Sequence, residues 1–147
     1  MAENKSSDVL RAPLAGLFTW LVPGLGHIYL GQRNRGLILL VMVTATFWTG
    51  VAIGGVRETV DPHERKLWFV AQIFSGGNTL SAYALNRSIA RSGAPVPGGH
   101  WLSADVGVHY TGVAGLLNLL VILDAISRAD PSYAVRRQRH GAVEGEQ

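Results

Sequence analysis

Residues 36–56 read "GLILLVMVTATFWTGVAIGGV", and their composition decides the fold. They hold no Asp, Glu, Lys or Arg, and apolar side chains occupy every face of a helix drawn through them. A soluble amphipathic helix carries charge on one face every turn or two. A bilayer-spanning helix instead needs ~20 predominantly apolar residues. The stretch therefore reads as a membrane span. Three further windows lack all four charged residue types: Ala12–Gln32, Leu67–Asn86 and Val106–Leu123. Of the 147 residues, 16% are charged, against ~25% in typical soluble domains. The expected fold is all-α, an integral membrane protein with about four transmembrane helices in one membrane domain, residues 1–147.

Boundaries follow from the charges. Residues 1–11 form a polar, frayed or interfacial N-terminus. Helix 1 is expected over 12–32, with Pro13 in its first turn, where a missing N–H costs nothing. Pro23 then removes a helical hydrogen bond and clashes with the preceding turn. The first segment is therefore expected to be kinked or partly re-entrant at Pro23–Gly26. Helix 2 covers 36–56, and helix 3, at 67–86, is the weakest span. Gln72, Ser75, Asn78, Thr79 and Ser81 lower its hydropathy, and Gly76-Gly77 soften its middle. Between helices 3 and 4, "RSIARSGAPVPGGHWLSAD" reads as a turn-rich loop, with Trp101 suited to the headgroup level. Helix 4 is expected over 106–127 and a basic polar tail over 128–147.

The N-terminus does not resemble a cleaved signal, because acidic and basic residues mix in its leader and no A-x-A-like site follows. The chain has no cysteine, which excludes disulfide and thiolate chemistry. Its net charge of +3 fits topology anchors better than nucleic-acid binding. If all four windows span, both termini lie on one side with Lys5, Arg11, Arg57, Arg65, Lys66, Arg128, Arg136, Arg137 and Arg139. Arg33, Arg35, Arg87 and Arg91 lie on the other. Nine against four places both termini in the cytoplasm. If the first segment re-enters without crossing, the count is six against seven and decides nothing.

The stretch before helix 2, "PGLGHIYLGQRNRG" at 23–36, gathers the most unusual residues. It begins like a G-x-G-x-x-G phosphate loop, but that motif requires a strand and a βαβ unit, and neither is present. A mechanical reading fits better. Pro23, Gly24, Gly26, Gly31 and Gly36 describe a helix break and a tight turn into helix 2. Tyr29 suits the interface, and Arg33 and Arg35 extend to lipid phosphates as anchors. His27 is either a hydrogen-bonded histidine that helps satisfy the broken backbone or a functional ligand. A His27–His109 pair could clamp a haem iron. With helices 1 and 4 crossing in the same direction, however, the two should sit near opposite faces.

Gly50 and Gly54 form a G-x-x-x-G suited to helix packing, and Asn118 is expected to hydrogen-bond across helices. Asp124 and Arg128, at i,i+4, are expected to pair. Glu58, Asp61, His63 and Glu64 match no metal-ligand frame and read as a solvated turn. No catalytic, metal or cofactor set is expected.

The residues Pro23, Gly24, Gly26, His27, Tyr29, Gly31 and Gly36 fit the pattern P-G-x-G-[HQ]-x-Y-x-G-x-x-x-x-G. The stretch "WLVPGLGHIYLGQRNRGLILL" thereby resembles the hairpin of the two-pass transmembrane domain families, a recurrent bacterial membrane-protein pattern. "YTGVAGLLNLLVILDA" is similar to the last helix of an uncharacterised four-helix bacterial family. The resemblance implies a multi-pass protein of a bacterial inner membrane and is silent on activity. Gln32-Arg33-Asn34-Arg35 stand where the eukaryotic version carries an acidic-arginine-aromatic triplet, so signalling roles do not transfer. The expected function is a non-enzymatic scaffold or accessory subunit with the lipid bilayer, a second copy or another membrane protein as partner. The alternative is a small transporter or channel component with His27, Asn78 and Asn118 on a polar path. A lipid-acting enzyme ranks third.

Overall fold

The computed structural model describes residues 3–59, 66–92 and 101–130. All of its elements are helical: α1 (Glu3–Leu21), α2 (Leu25–Tyr29), α3 (Arg33–Gly54), α4 (Val56–Thr59), α5 (Lys66–Ile73), α6 (Gly77–Ser92) and α7 (Trp101–Ala129). Two are long and apolar enough to cross a membrane: α3, and residues Ser103–Ala129 of α7. Only 28% of the apolar window of α3 is buried. A core helix of a soluble protein would hide such a surface, whereas Leu37, Ile38, Val41 and Met42 each stay more than half exposed.

Helix α7 is the axis, and small residues set how closely the others approach it. Helix α3 runs antiparallel to it. A Cβ on Gly107 would come within 2.6 Å of the Gly54 Cα and 2.7 Å of the Gly50 carbonyl oxygen. The Gly50/Gly54 pair therefore meets a third glycine, and the two backbones touch where any side chain would hold them apart. Phe47, Val51, Ala82 and Ala114 close the core beside this crossing.

Helix α1 is also antiparallel to α7: Gly16 faces Ile122 and Ile126, and Thr19 lies at the level of Asn118. The chain then doubles back. Gly26 of α2 packs against the backbone of Ala15 and the Thr19 hydroxyl, and Leu30 returns to the cluster of Ala15, Ala125 and Ala129. Helix α5 runs parallel to α7, with Trp68 against Gly112 and Ala71 against Gly115. Its successor α6 also reverses, with Thr79 Oγ1 donating to the Gln72 carbonyl. The result is two long helices flanked by two short helical hairpins that point at each other.

Several expected boundaries change. The N-terminal segment is helical from Glu3, so Pro13 sits inside α1 and not in its first turn. It costs the bond to the Val9 carbonyl there. The single helix expected over 12–32 is two, α1 and α2, because Pro23 and Gly24 (φ 80°) stop the first. The single helix expected over 67–86 is also two. The chain turns through Phe74–Gly76, where Gly76 has φ 44°, and α6 continues to Ser92, into the expected loop. Helix 4 starts earlier than expected, at Trp101. Asp61, His63, Glu64 and the tail beyond residue 130 lie outside the described residues, as do the side chains of Glu58 and Trp101.

Candidate functional site

The tips of the two hairpins meet beside Asn118. In a continuous helix, the N–H of residue 23 would donate to the carbonyl of Thr19. Residue 23 is proline and has no N–H. Asn118 Nδ2 supplies the missing bond at 3.2 Å. The same nitrogen donates at 2.8 Å to the carbonyl of Phe74, in the turn that ends α5. One buried amide thus satisfies one carbonyl at each helix break. Trp20 Nε1 ties the tips together by donating to the Ile73 carbonyl at 3.0 Å. Gly76 and Gly77 press on the carbonyls of Trp20 and Leu21, leaving no room for a side chain.

Thr19 holds the first hairpin closed. Its hydroxyl donates to the Ala15 carbonyl at 2.9 Å and accepts the N–H of Gly26 at 3.1 Å. On the second hairpin, Gln72 Nε2 donates to the Thr59 carbonyl at 2.8 Å and to Thr111 Oγ1 at 2.7 Å. Thr19, Gln72, Thr111 and Asn118 are all buried. A cavity of about 260 Å³ lies beside the junction, lined by Trp20, Ile73, Gly76, Thr79, Leu80 and Tyr83.

A second polar cluster lies six residues further along α7, about 9 Å at ~1.5 Å per residue. The Asp124 carboxylate accepts from buried His27 Nε2 at 2.8 Å. It also accepts from Arg128 Nε, at 2.9 Å to each oxygen. Arg35 Nη2 approaches it at 3.3 Å. His27 therefore bonds a carboxylate on another helix, not the broken backbone that the sequence suggested. Its Nδ1 has no partner among the described residues.

His109 is remote, with Nδ1 on the Asp105 carbonyl at 2.6 Å and its ring against Trp68. Along α7, from 109 to 124 is fifteen residues, about 22 Å at ~1.5 Å each. The two histidines are far apart, but not for the expected reason. Helices α1 and α7 run oppositely, and it is the reversal into α2 that carries His27 away from His109.

The remaining residues of the 23–36 stretch divide by role. Gly24 packs on the Gly36 carbonyl, and a Cβ on Gly36 would strike Ile28 Cγ1 at 2.6 Å. Gly31 has φ 82° and open space around it, so it serves the turn alone. Tyr29 is half-exposed, with its ring edge-to-face on Phe18 at 5.3 Å. Arg33 and Arg35 begin α3, both exposed, and only Arg35 reaches Asp124. Asn78 Nδ2 makes a long 3.4 Å contact to Ser75 Oγ. The Asp124–Arg128 pair is visible from i,i+4 spacing. The His27–Asp124 and Thr19–Asn118 contacts span nearly a hundred residues, and no local periodicity reports them.

No curated protein and no solved structure matches the chain. A family model matches residues 14–138, which take in the second half of α1, all later helices and every residue of the two polar clusters. The chain belongs to that family, which is described as a family of unknown function, DUF6677.

Proposed function

We propose that this protein is a non-enzymatic scaffold or accessory subunit of a bacterial inner membrane. In this reading α3 and α7 cross the bilayer, while α1–α2 and α5–α6 enter from opposite faces and turn back midway. The exposed apolar surfaces of α3 and α7 support the membrane assignment. Backbone that is not helical is tolerated at membrane depth only when protein satisfies it. The observation that carries the reading is Asn118. Its amide donors are committed to the Thr19 and Phe74 carbonyls, so this fully buried polar side chain serves structure. A transport path would need polar groups lining a void. The cavity beside the junction is lined instead by Trp20, Ile73, Leu80 and Tyr83 among its six residues.

This topology redistributes the charges. The segments before α3's apolar stretch and after that of α7 hold Lys5, Arg11, Arg33, Arg35, Arg128, Arg136, Arg137 and Arg139. The segment between α3 and α7 holds Arg57, Arg65, Lys66, Arg87 and Arg91. Eight against five again favours cytoplasmic termini.

Two experiments test the proposal. The chain has no cysteine, so Gln32→Cys and Ser92→Cys can be labelled singly with an impermeant maleimide. The two-hairpin topology puts them on opposite sides, whereas four complete spans would put them on the same side. The accessory role predicts a membrane partner or a second copy captured by crosslinking in intact membranes. A crosslink-free monomer would refute that role.

A further inference from the structure

We propose that the cavity beside the hairpin junction seats the methyl end of one lipid acyl chain, from the leaflet that α5 and α6 enter. The inference rests on the two-hairpin membrane reading above. Sequence spacing sets the depth. Arg11 stands ten residues before Leu21, where α1 ends, and Arg87 stands ten residues after Gly77, where α6 begins. Ten residues of helix rise about 15 Å at ~1.5 Å each, half of a hydrocarbon core ~30 Å thick. Charged side chains settle near the interface, whether or not they are paired there. Each hairpin is thus one leaflet deep, and the tips meet at the midplane, where acyl chains end.

The cavity runs from that depth outward along α6. Thr79, Leu80 and Tyr83 share one face of the helix, and Gly76 precedes them by a turn. From Gly76 to Tyr83 is seven residues, about 10 Å. Trp20 and Ile73 complete the described lining. Two polar groups of the lining are already used: Trp20 Nε1 donates to the Ile73 carbonyl and Thr79 Oγ1 to the Gln72 carbonyl. The first of these bonds also fixes the indole as a wall. An apolar cavity of ~150 Å³ holds a benzene ring and stays dry without it, so about 260 Å³ scales to a segment of about ten carbons. Leu80 is 56% exposed and Ile73 43%, which leaves the cavity open sideways to lipid. A helix, ~10 Å across, is too wide to enter it, whereas a single chain is not. Lipid tails are as apolar as these walls, so the seat selects by close contact and by reach. A chain that stops short of the midplane leaves it empty.

The test reads the fluorescence of Trp20 in the full chain, with Trp48, Trp68 and Trp101 replaced by phenylalanine. The chain has no cysteine, so Leu80→Cys places one thiol at the cavity. Met42→Cys places one on the exposed face of α3. Each variant is coupled in micelles to octyl methanethiosulfonate and returned to phosphatidylcholine vesicles that contain chain-brominated phosphatidylcholine, whose bromines quench nearby indoles. Bromines near the chain end should quench Trp20 at least about twofold more than bromines near the ester, which lie most of a ~15 Å leaflet away. The octyl group on Leu80→Cys should lower that quenching at least about twofold, because eight carbons take up most of the space. The octyl group on Met42→Cys should leave it unchanged. Helical circular dichroism checks folding, and Ile73→Cys is the second attachment point if Leu80→Cys does not fold. Equal quenching with and without the octyl group at the cavity would overturn the seat in favour of ordinary contact with surrounding lipid. A Trp20 that no brominated chain quenches, with thiol crosslinking between two copies of Leu80→Cys, would overturn the lipid in favour of a second copy. Stronger quenching by bromines near the ester would instead refute the depth of the hairpins, and with it the membrane reading.

Discussion

Asn118→Leu removes the two bonds that join the hairpin tips while nearly conserving side-chain volume. The carbonyls of Thr19 and Phe74 then lose the donor that the structure gives them. Each buried acceptor left unpaired costs about 1–3 kcal/mol, so the pair sets an upper range of about 2–6 kcal/mol. Interhelical hydrogen bonds in bilayer proteins average ~0.6 kcal/mol because the unfolded chain also finds partners. Two such bonds set a floor of about 1 kcal/mol. Asn118 Oδ1 has no partner among the described residues, so its loss adds nothing. Asn118→Asp separates donation from shape, because it keeps the outline and replaces the donor with an oxygen facing two carbonyls. Its cost should equal or exceed that of leucine. The measurement is reversible unfolding in mixed micelles, followed by circular dichroism. A Pro23→Ala background adds a second check, because alanine restores an N–H able to serve Thr19, and Asn118→Leu should then cost less. An Asn118→Asp variant within about 0.5 kcal/mol of wild type would refute the role assigned to the amide.

Gly107→Leu should separate α3 from α7, since even a Cβ would sit 2.6 Å from Gly54 Cα. We expect a loss of about 1–3 kcal/mol or a failure to elute as one species, and a monodisperse, equally stable variant would contradict the close crossing. His27→Phe should destabilise by about 1.5–3 kcal/mol, the range for a hydrogen bond to a charged group. His27→Asn keeps a donor and should recover part of this in the same unfolding assay, and equal losses in both variants would show that ring packing, not the bond to Asp124, matters.

The helical class of the chain and the positions of α3 and α7 are legible in its sequence because uncharged windows are local signals. The break at Pro23 is legible for the same reason, since a missing N–H is a property of one residue. The division of helix 3 is less so. Gly76 and Gly77 mark a soft point, but glycine is common in packed helices, and the decisive fact is the nearby backbone of Trp20 and Leu21. The polar clusters are illegible for a different reason. His27 and Asp124 each have several plausible neighbours, and only the reversal of the chain into α2 selects the pair. Counting uncharged windows as spans also assumes that each window is one helix, whereas two of the four, 12–32 and 67–86, each divide into two helices.

The choice of asparagine at position 118 follows from the geometry of the two breaks. Each hairpin ends with a carbonyl that no helical N–H reaches, one because of Pro23 and one because α5 turns at Phe74. Both carbonyls lie within reach of one side-chain nitrogen of α7, so a single side chain must carry two N–H groups on one atom. Serine and threonine each offer one donor, and lysine would add a charge in apolar surroundings. An amide is the smallest neutral group with two donors. Glutamine places that amide one methylene further out, away from the position from which Asn118 Nδ2 reaches both carbonyls. The close glycine contacts and the asparagine are therefore one device: the glycines bring the breaks within reach of α7, and Asn118 joins them.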